Sequence, residues 1–291
     1  MGALQLQPSF YNSTTESPRE DILHDYMRFL DIRNGGVDPN KGFVNRDAWL
    51  KDASSTTVRH SGHIDPEQFK RNFVSFASSA DLSKKATALL AFTKVNAGEA
   101  YGVKVVTTHR LGHPPTGELI DTLERILGHE EVYHTKILVG ATEQFGLEAP
   151  TDGWKPYFHL RLLIGSLAYV PNAIFHPILL ASEYAGVFAF NWLLNRVSEV
   201  FADEPALKET MEARLVEILV DEVGHITFNR MMVGKLGMDI AKAMAPHVAD
   251  STTGLTPEFR ALGWTKETIK DFDRFDYAAL PEEVRKRAFF A

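Results

Sequence analysis

The chain has 291 residues, of which 44% are hydrophobic and 24% charged, as in ordinary soluble proteins that bury a substantial core. Its net charge of −7 and its lack of a basic block argue against nucleic-acid binding, which needs clustered lysine and arginine. The absence of cysteine excludes disulfides, thiol catalysis and iron–sulfur clusters, and we expect a cytoplasmic protein.

Helical periodicity dominates the chain and strand alternation is almost absent, which predicts an all-α fold. The N-terminal part is expected to form a helix from about residue 18 to 34, a turn-rich stretch over 37–64, and a short helix to about 78. Long helices are predicted at about 82–109, 116–145, 172–201 and 202–236, with an intermediate apolar helix near 154–170. The tail is expected to form short helices at about 239–249, 265–274 and 281–289.

Long helices of about 28 to 34 residues, roughly 40 to 50 Å each, suit an antiparallel bundle. We expect one domain over 1–291, with the bundle core at about 82–236 and peripheral helices at about 18–80 and 238–291. Helices of this length also suit a homodimer.

One apolar stretch, residues 157–197, raises the question of a membrane span. It is cut by Pro171 and Pro177, and it carries His176 and Glu183. A spanning helix needs roughly 20 predominantly apolar residues. Buried helices of a large bundle explain this stretch better, so we expect no membrane segment.

Four glutamates and two histidines lie on the apolar stripes of the four long helices, near the middle of each helix. Two of the glutamates are followed three residues later by a histidine, so both side chains of each pair leave the helix on nearly one side. The six residues are Glu99, Glu131, His134, Glu183, Glu222 and His225. Charge on a buried face is costly unless it is paired or binds a cation. The pattern predicts a site for two metal ions.

The donor types indicate which metal this site would hold. Mixed carboxylate and imidazole ligation with open positions suits redox iron, whereas structural zinc prefers a closed tetrahedral site. We therefore expect two iron ions, and a Mn/Fe pair would use the same ligand types. The competing interpretation is a buried salt-bridge network. It is disfavoured because the core offers few basic partners, with Lys94 and Lys104 off the apolar stripe.

An acid precedes the glutamate of both Glu-x-x-His motifs, at Glu130 and Asp221. Metal-bound imidazoles usually donate their other N–H to a carboxylate, so both acids are candidates to orient the histidines. With these motifs, residues 82–236 resemble the ferritin-like di-iron carboxylate superfamily, specifically its oxygen-activating oxygenases and oxidases. There, an acid at this position often orients the histidine of the opposite motif. Some N-oxygenases of the superfamily have a third histidine where this chain has Ile218, so we do not expect a site of that kind.

The resemblance implies a ferritin-like four-helix bundle and an O₂-activating non-haem di-iron enzyme. Its reaction would be hydroxylation, N-oxygenation, desaturation or C–C cleavage of a small organic substrate. Glu183 and Glu222 would be the carboxylates that shift coordination, and a ferredoxin or flavin reductase would supply electrons. The alternatives are a ferroxidase that handles iron or, with less support, a non-catalytic helical interaction module. The many residues outside the four-helix core favour the oxygenase.

Overall fold

The computed structural model describes residues 8–12, 19–36, 42–55, 58–74, 82–149 and 158–291. Within these ranges the regular elements are helices and no β-strand occurs, which confirms the all-α class. In chain order the helices are α1 (Arg19–Asn34), α2 (Val44–Ser55), α3 (Pro66–Val74), α4 (Lys84–Lys94), α5 (Ala97–His109), α6 (Leu119–Gly140), α7 (Phe158–Leu167), α8 (Asn172–Val200), α9 (Pro205–Met232), α10 (Lys235–Leu255), α11 (Glu258–Ala261), α12 (Lys266–Asp271) and α13 (Glu282–Arg287). Short 3₁₀ turns occupy Ala141–Phe145, Phe272–Arg274 and Tyr277–Ala279.

Helix α9 forms the centre of the molecule. Every residue from Arg214 to Met231 is buried, so this helix is covered on all sides. A short connection joins α8 to α9, and the two helices pack along each other. Helix α10 packs on α8 through Ala241, Ala245 and Ala249, whose spacing of four residues lines up small side chains that permit a close approach. The central helices are thus held by their packing as much as by their own helix propensity.

The long helix expected at about 82–109 is two helices, α4 and α5, with a turn at Val95 and Asn96. The buried side chain of Asn96 accepts a hydrogen bond of 2.6 Å from the Thr135 hydroxyl on α6. Asparagine favours such contacts over continuing a helix, and Gly98 weakens the helix further. Glu99 therefore lies in the first turn of α5, and its side chain lies outside what the structure describes.

Other boundaries also differ from the sequence expectation. The stretch 37–64, interpreted as turns, contains α2. The fourth long helix ends at Met232 instead of near 236, because Val233 adopts an extended backbone. Helix α10 has 21 residues, longer than the expected 239–249. Its length follows from the buried alanine face against α8, which outweighs the breaking effect of Pro246.

Among the described residues, α8 is the one helix long and apolar enough to cross a membrane by length and composition. Of its most apolar window, 67% is buried inside the protein. Core helices of soluble proteins pass the same test of length and composition. Glu183 lies near the middle of α8 and faces α9.

Helix α1 approaches α9 most closely at Gly224, inside the second Glu-x-x-His motif. A Cβ atom at this position would lie 2.6 Å from the Tyr26 hydroxyl oxygen and 2.9 Å from its Cε2. Glycine weakens a helix interior because it loses more backbone entropy on folding than alanine. The close packing of Tyr26 explains why glycine occupies this position.

We expect Gly224→Ala to lower the free energy of unfolding by about 1–3 kcal/mol, because the new methyl group must displace a fully buried phenol. Gly128→Ala on α6 is the matched control, since its Cβ would lie 3.5 Å from the Thr107 methyl group, an ordinary contact. That control should be neutral or stabilising by up to about 1 kcal/mol. Urea unfolding followed by circular dichroism measures both. Equal stability of Gly224→Ala and the natural protein would contradict this packing argument.

Candidate metal centre

Helices α6, α8 and α9 bring four of the six candidate ligands into one group. The group consists of Glu131, Glu183, Glu222 and His225, and one ligand atom from each lies within 4.8 Å of the others. The Nδ1 atom of His225 is 3.1 Å from Glu131 Oε1, 3.6 Å from Glu222 Oε2 and 3.9 Å from Glu183 Oε2. These side chains could hold a metal ion without a change of fold.

His134 lies at the other edge of the group. Its Nδ1 atom is 3.3 Å from Glu131 Oε2 and 3.1 Å from Glu222 Oε1. The ring centroids of His134 and His225 are 5.7 Å apart, with an interplanar angle of 30°. The two imidazoles thus face the same pair of carboxylates from two sides, an arrangement in which Glu131 and Glu222 could bridge two ions.

The outer nitrogen of each imidazole contacts the acid that precedes the opposite motif. His134 Nε2 is 3.1 Å from Asp221 Oδ2, and His225 Nε2 is 3.1 Å from Glu130 Oε2. A carboxylate at Nε2 favours the proton on that nitrogen, which directs the Nδ1 lone pair of a neutral imidazole into the centre. The two acids therefore set the tautomer in which both histidines could bind metal.

Several inner atoms of the centre are buried without a hydrogen-bond partner. They are Glu131 Oε2, His134 Nδ1 and both carboxylate oxygens of Glu222. The N···O distances near 3.1–3.3 Å put these atoms in contact, but the approaches lack hydrogen-bond directionality. Buried polar atoms are rarely left unpaired, and lone pairs directed at one another are the arrangement that a cation satisfies.

The electrostatics of the centre separate its carboxyl groups. Burial and the neighbouring Glu222 carboxylate raise the pKa of Glu183 well above its usual range. Burial acts in the same direction on Glu222, but its contacts with His134 and His225 outweigh burial and hold its pKa below the usual range. Burial would lower the pKa of both imidazoles, yet the surrounding carboxylates raise it well above the usual value. In the absence of metal, Glu183 and the two histidines therefore retain protons.

Helices α1 and α2 supply an outer layer that the sequence analysis missed. Arg33 Nε donates to Asp221 Oδ1 at 2.7 Å, and Arg46 Nη1 donates to the same oxygen at 3.0 Å. Although Asp221 is buried, these guanidinium groups hold its pKa well below the usual range. Asn34 Nδ2 donates to Glu130 Oε1 at 3.2 Å. The only local signal, an arginine and an asparagine beside Gly35, indicated a helix end and nothing more.

On the α8 side, Asn229 holds Glu183. Its Nδ2 donates to Glu183 Oε1 at 3.4 Å and to the His225 carbonyl oxygen at 3.1 Å, while its Oδ1 lies 3.3 Å from His176 Nδ1. Since a carbonyl only accepts, these contacts assign the amide orientation and put a proton on His176 Nδ1. Asn229 is buried and had no motif to mark it in the sequence.

No family model, no curated protein and no solved structure matches this chain.

We expect the metal-free protein to lose stability as the pH rises from about 6 to 9. Both imidazoles have a pKa raised above the unfolded value of about 6.5, so their contribution is fully present below that pH and is lost as pH rises through the folded pKa. The raised pKa of Glu183 acts in the same direction. Thermal unfolding in excess chelator at several pH values measures the effect. A stability that stays constant or increases over this interval would contradict these protonation states.

Proposed function

We propose that this protein is an oxygen-activating oxidoreductase that holds two iron ions, or one manganese and one iron. The ligands would be Glu131, His134, Glu183, Glu222 and His225, with Glu99 of α5 as the expected sixth. One observation carries the proposal: carboxylate and imidazole atoms from three helices meet in the interior, and several of them lack any hydrogen-bond partner. Zinc ribbons and other thiolate sites are excluded because the chain has no cysteine.

The charges at this centre do not balance without a cation. Its acids are Glu130, Glu131, Glu183 and Glu222, and its bases are His134 and His225. With every acid ionised and both imidazoles protonated, two negative charges remain, since four minus two is two. With both imidazoles neutral, four negative charges remain, and two divalent cations would neutralise them. Binding of metal would then release the protons held by Glu183 and the imidazoles.

A ferritin-like arrangement belongs to the same proposal. The four bundle elements would be the α4–α5 pair, α6, α8 and α9, within a single domain in which α10 covers the outside of α8. Contacts of α4 with α6 and α8, of α8 with α9, and of α6 with α9 support this arrangement. The order of the ligands along the chain, a single glutamate followed by a Glu-x-x-His motif in each half, supports it as well.

A cleft between α5 and α6 supports an organic substrate over bulk iron. Its volume is about 470 Å³, within the range of small-molecule sites. Gly128 and Val132 line it, and both are close in sequence to Glu131, while Val103 and Leu111 add apolar wall. Glu131 has 12% of its side chain exposed, more than any other described ligand. The centre thus approaches solvent on the side where this cleft lies.

When bound, the metal pair would supply the electrons and the open coordination positions that reduce O₂. The protein would contribute orientation and exclusion of water. Glu130 and Asp221 hold the Nε2 proton of each imidazole, and Asn229 holds one oxygen of Glu183 through a bond of 3.4 Å. Because that bond is long, Glu183 is the ligand best placed to change its coordination. An external donor, such as a ferredoxin or flavin reductase, would restore the reduced pair.

The experiment measures metal content and O₂ consumption after anaerobic reduction. We expect about two equivalents of iron or manganese per chain, and O₂ consumption that falls about 100-fold or more in Glu183→Ala. Glu199→Ala is the matched control, because Glu199 lies on the same helix but is exposed and pairs with Arg196. Absence of bound metal, or full O₂ consumption by Glu183→Ala, would refute the proposal.

The same assay separates the two alternatives. An oxygenase or oxidase consumes O₂ faster when its organic substrate is present. A ferroxidase oxidises and mineralises added Fe(II) without an organic molecule. A non-catalytic helical module would be equally stable with and without metal and would consume no O₂.

A further inference from the structure

We propose that the two metal positions fill in a fixed order. The first divalent cation binds at His225 together with Glu131, Glu183 and Glu222, and the second binds more weakly at His134. This inference rests on the proposed dinuclear site. It follows from two independent features, the number of carboxylates around each imidazole and the charge behind it.

The His225 position already has its ligands gathered. Three carboxylates lie within 3.9 Å of His225 Nδ1, and four ligand atoms lie within 4.8 Å of one another. His134 Nδ1 contacts two carboxylates, Glu131 and Glu222, at 3.3 and 3.1 Å. Both of these also serve the His225 position. A first cation therefore finds three anionic ligands beside His225, whereas a cation at His134 must share both of its ligands.

Behind His134 lies a cluster of guanidinium groups. It consists of the acids Asp221 and Glu217 and the arginines Arg33, Arg46 and Arg287. Three positive charges meet two negative charges, so this cluster has a net charge of +1. The carboxylate that backs His134 is thus already neutralised, and the excess positive charge opposes a metal cation in the buried space in front of it.

Behind His225 the charge has the opposite sign. Glu130 accepts a hydrogen bond of 3.2 Å from the neutral amide of Asn34. Among the residues that the structure describes, the ion pair of Glu130 is with His225 itself. Its negative charge is therefore not cancelled by lysine or arginine. It makes the His225 imidazole a better donor to a metal ion and attracts the cation directly.

Once the first cation is bound, it repels the second. The shared carboxylates Glu131 and Glu222 are by then partly neutralised, and the guanidinium cluster behind His134 is unchanged. Both effects weaken the second binding step, and neither weakens the first. The two histidine motifs, so alike in sequence, are thus unequal in affinity because of what α1 and α2 place behind them.

The experiment is a titration of metal-free protein with Mn(II) under anaerobic conditions, with free Mn(II) measured by electron paramagnetic resonance. We expect one equivalent to bind at least about tenfold more tightly than the second. Two equivalents of equal affinity, or a pair that binds cooperatively, would overturn the proposed order while leaving the dinuclear site intact. Failure to bind any Mn(II), Co(II) or Fe(II) would overturn the proposed function and the order with it.

A matched pair of variants identifies the tight position. His134→Ala should retain the tight equivalent and lose the weak one, whereas His225→Ala should lose the tight equivalent. The reverse result would overturn the proposal. In addition, Arg46→Gln should tighten the second step several-fold and leave the first within about twofold, because it removes positive charge behind His134 only.

The natural protein gives a test that does not depend on any variant folding. Crystals grown with one equivalent of Mn(II) would show its position by anomalous scattering. A single peak beside His225 Nδ1 is expected. A peak beside His134 Nδ1, or two half-occupied peaks of equal height, would overturn the order.

Discussion

Unbalanced negative charge in the interior is the constraint on which the rest of this structure depends. Glu131, Glu183 and Glu222 converge within a few ångströms, and only two imidazoles lie among them. Such a cluster is costly in a low-dielectric interior unless protons or cations neutralise it. In the metal-free protein Glu183 and the histidines retain protons, which is the less effective of the two remedies.

This constraint explains features that would otherwise be unfavourable. Helix α9 is buried over its whole central part although it carries Glu217, Asp221, Glu222, His225 and Asn229. Each of these side chains has a contact in the centre or in the layer behind it. Helices α1 and α2 are part of this arrangement, because they supply the guanidinium and amide groups that hold Asp221 and Glu130. Assembly of the centre and packing of the N-terminal helices are therefore coupled.

Sequence reasoning reached the parts of the site that local pattern determines. Helical spacing and mid-helix position singled out Glu131, Glu183 and Glu222, which the structure brings together with both histidines. The acids before each motif contact the opposite imidazole. The role of these side chains as metal ligands stays a proposal.

What sequence could not supply was contact between distant segments. Arg33 and Asp221 are separated by 188 residues, and Asn34 and Glu130 by 96. No periodicity relates residues so far apart, so the difference between the two motifs was invisible. The break at Asn96 was missed for a similar reason, since it depends on a hydrogen bond from Thr135 on the next helix. Tertiary contact overrode an apolar pattern that continued across it.

The central claim is that this interior holds a redox-active pair of metal ions. Mössbauer spectroscopy of protein loaded anaerobically with ⁵⁷Fe(II) and then exposed to O₂ tests it most directly. The account predicts about two high-spin ferrous ions per chain that convert to a magnetically coupled ferric pair. Isolated mononuclear iron, mineral-type ferric iron, or ferrous iron unchanged by O₂ would contradict it.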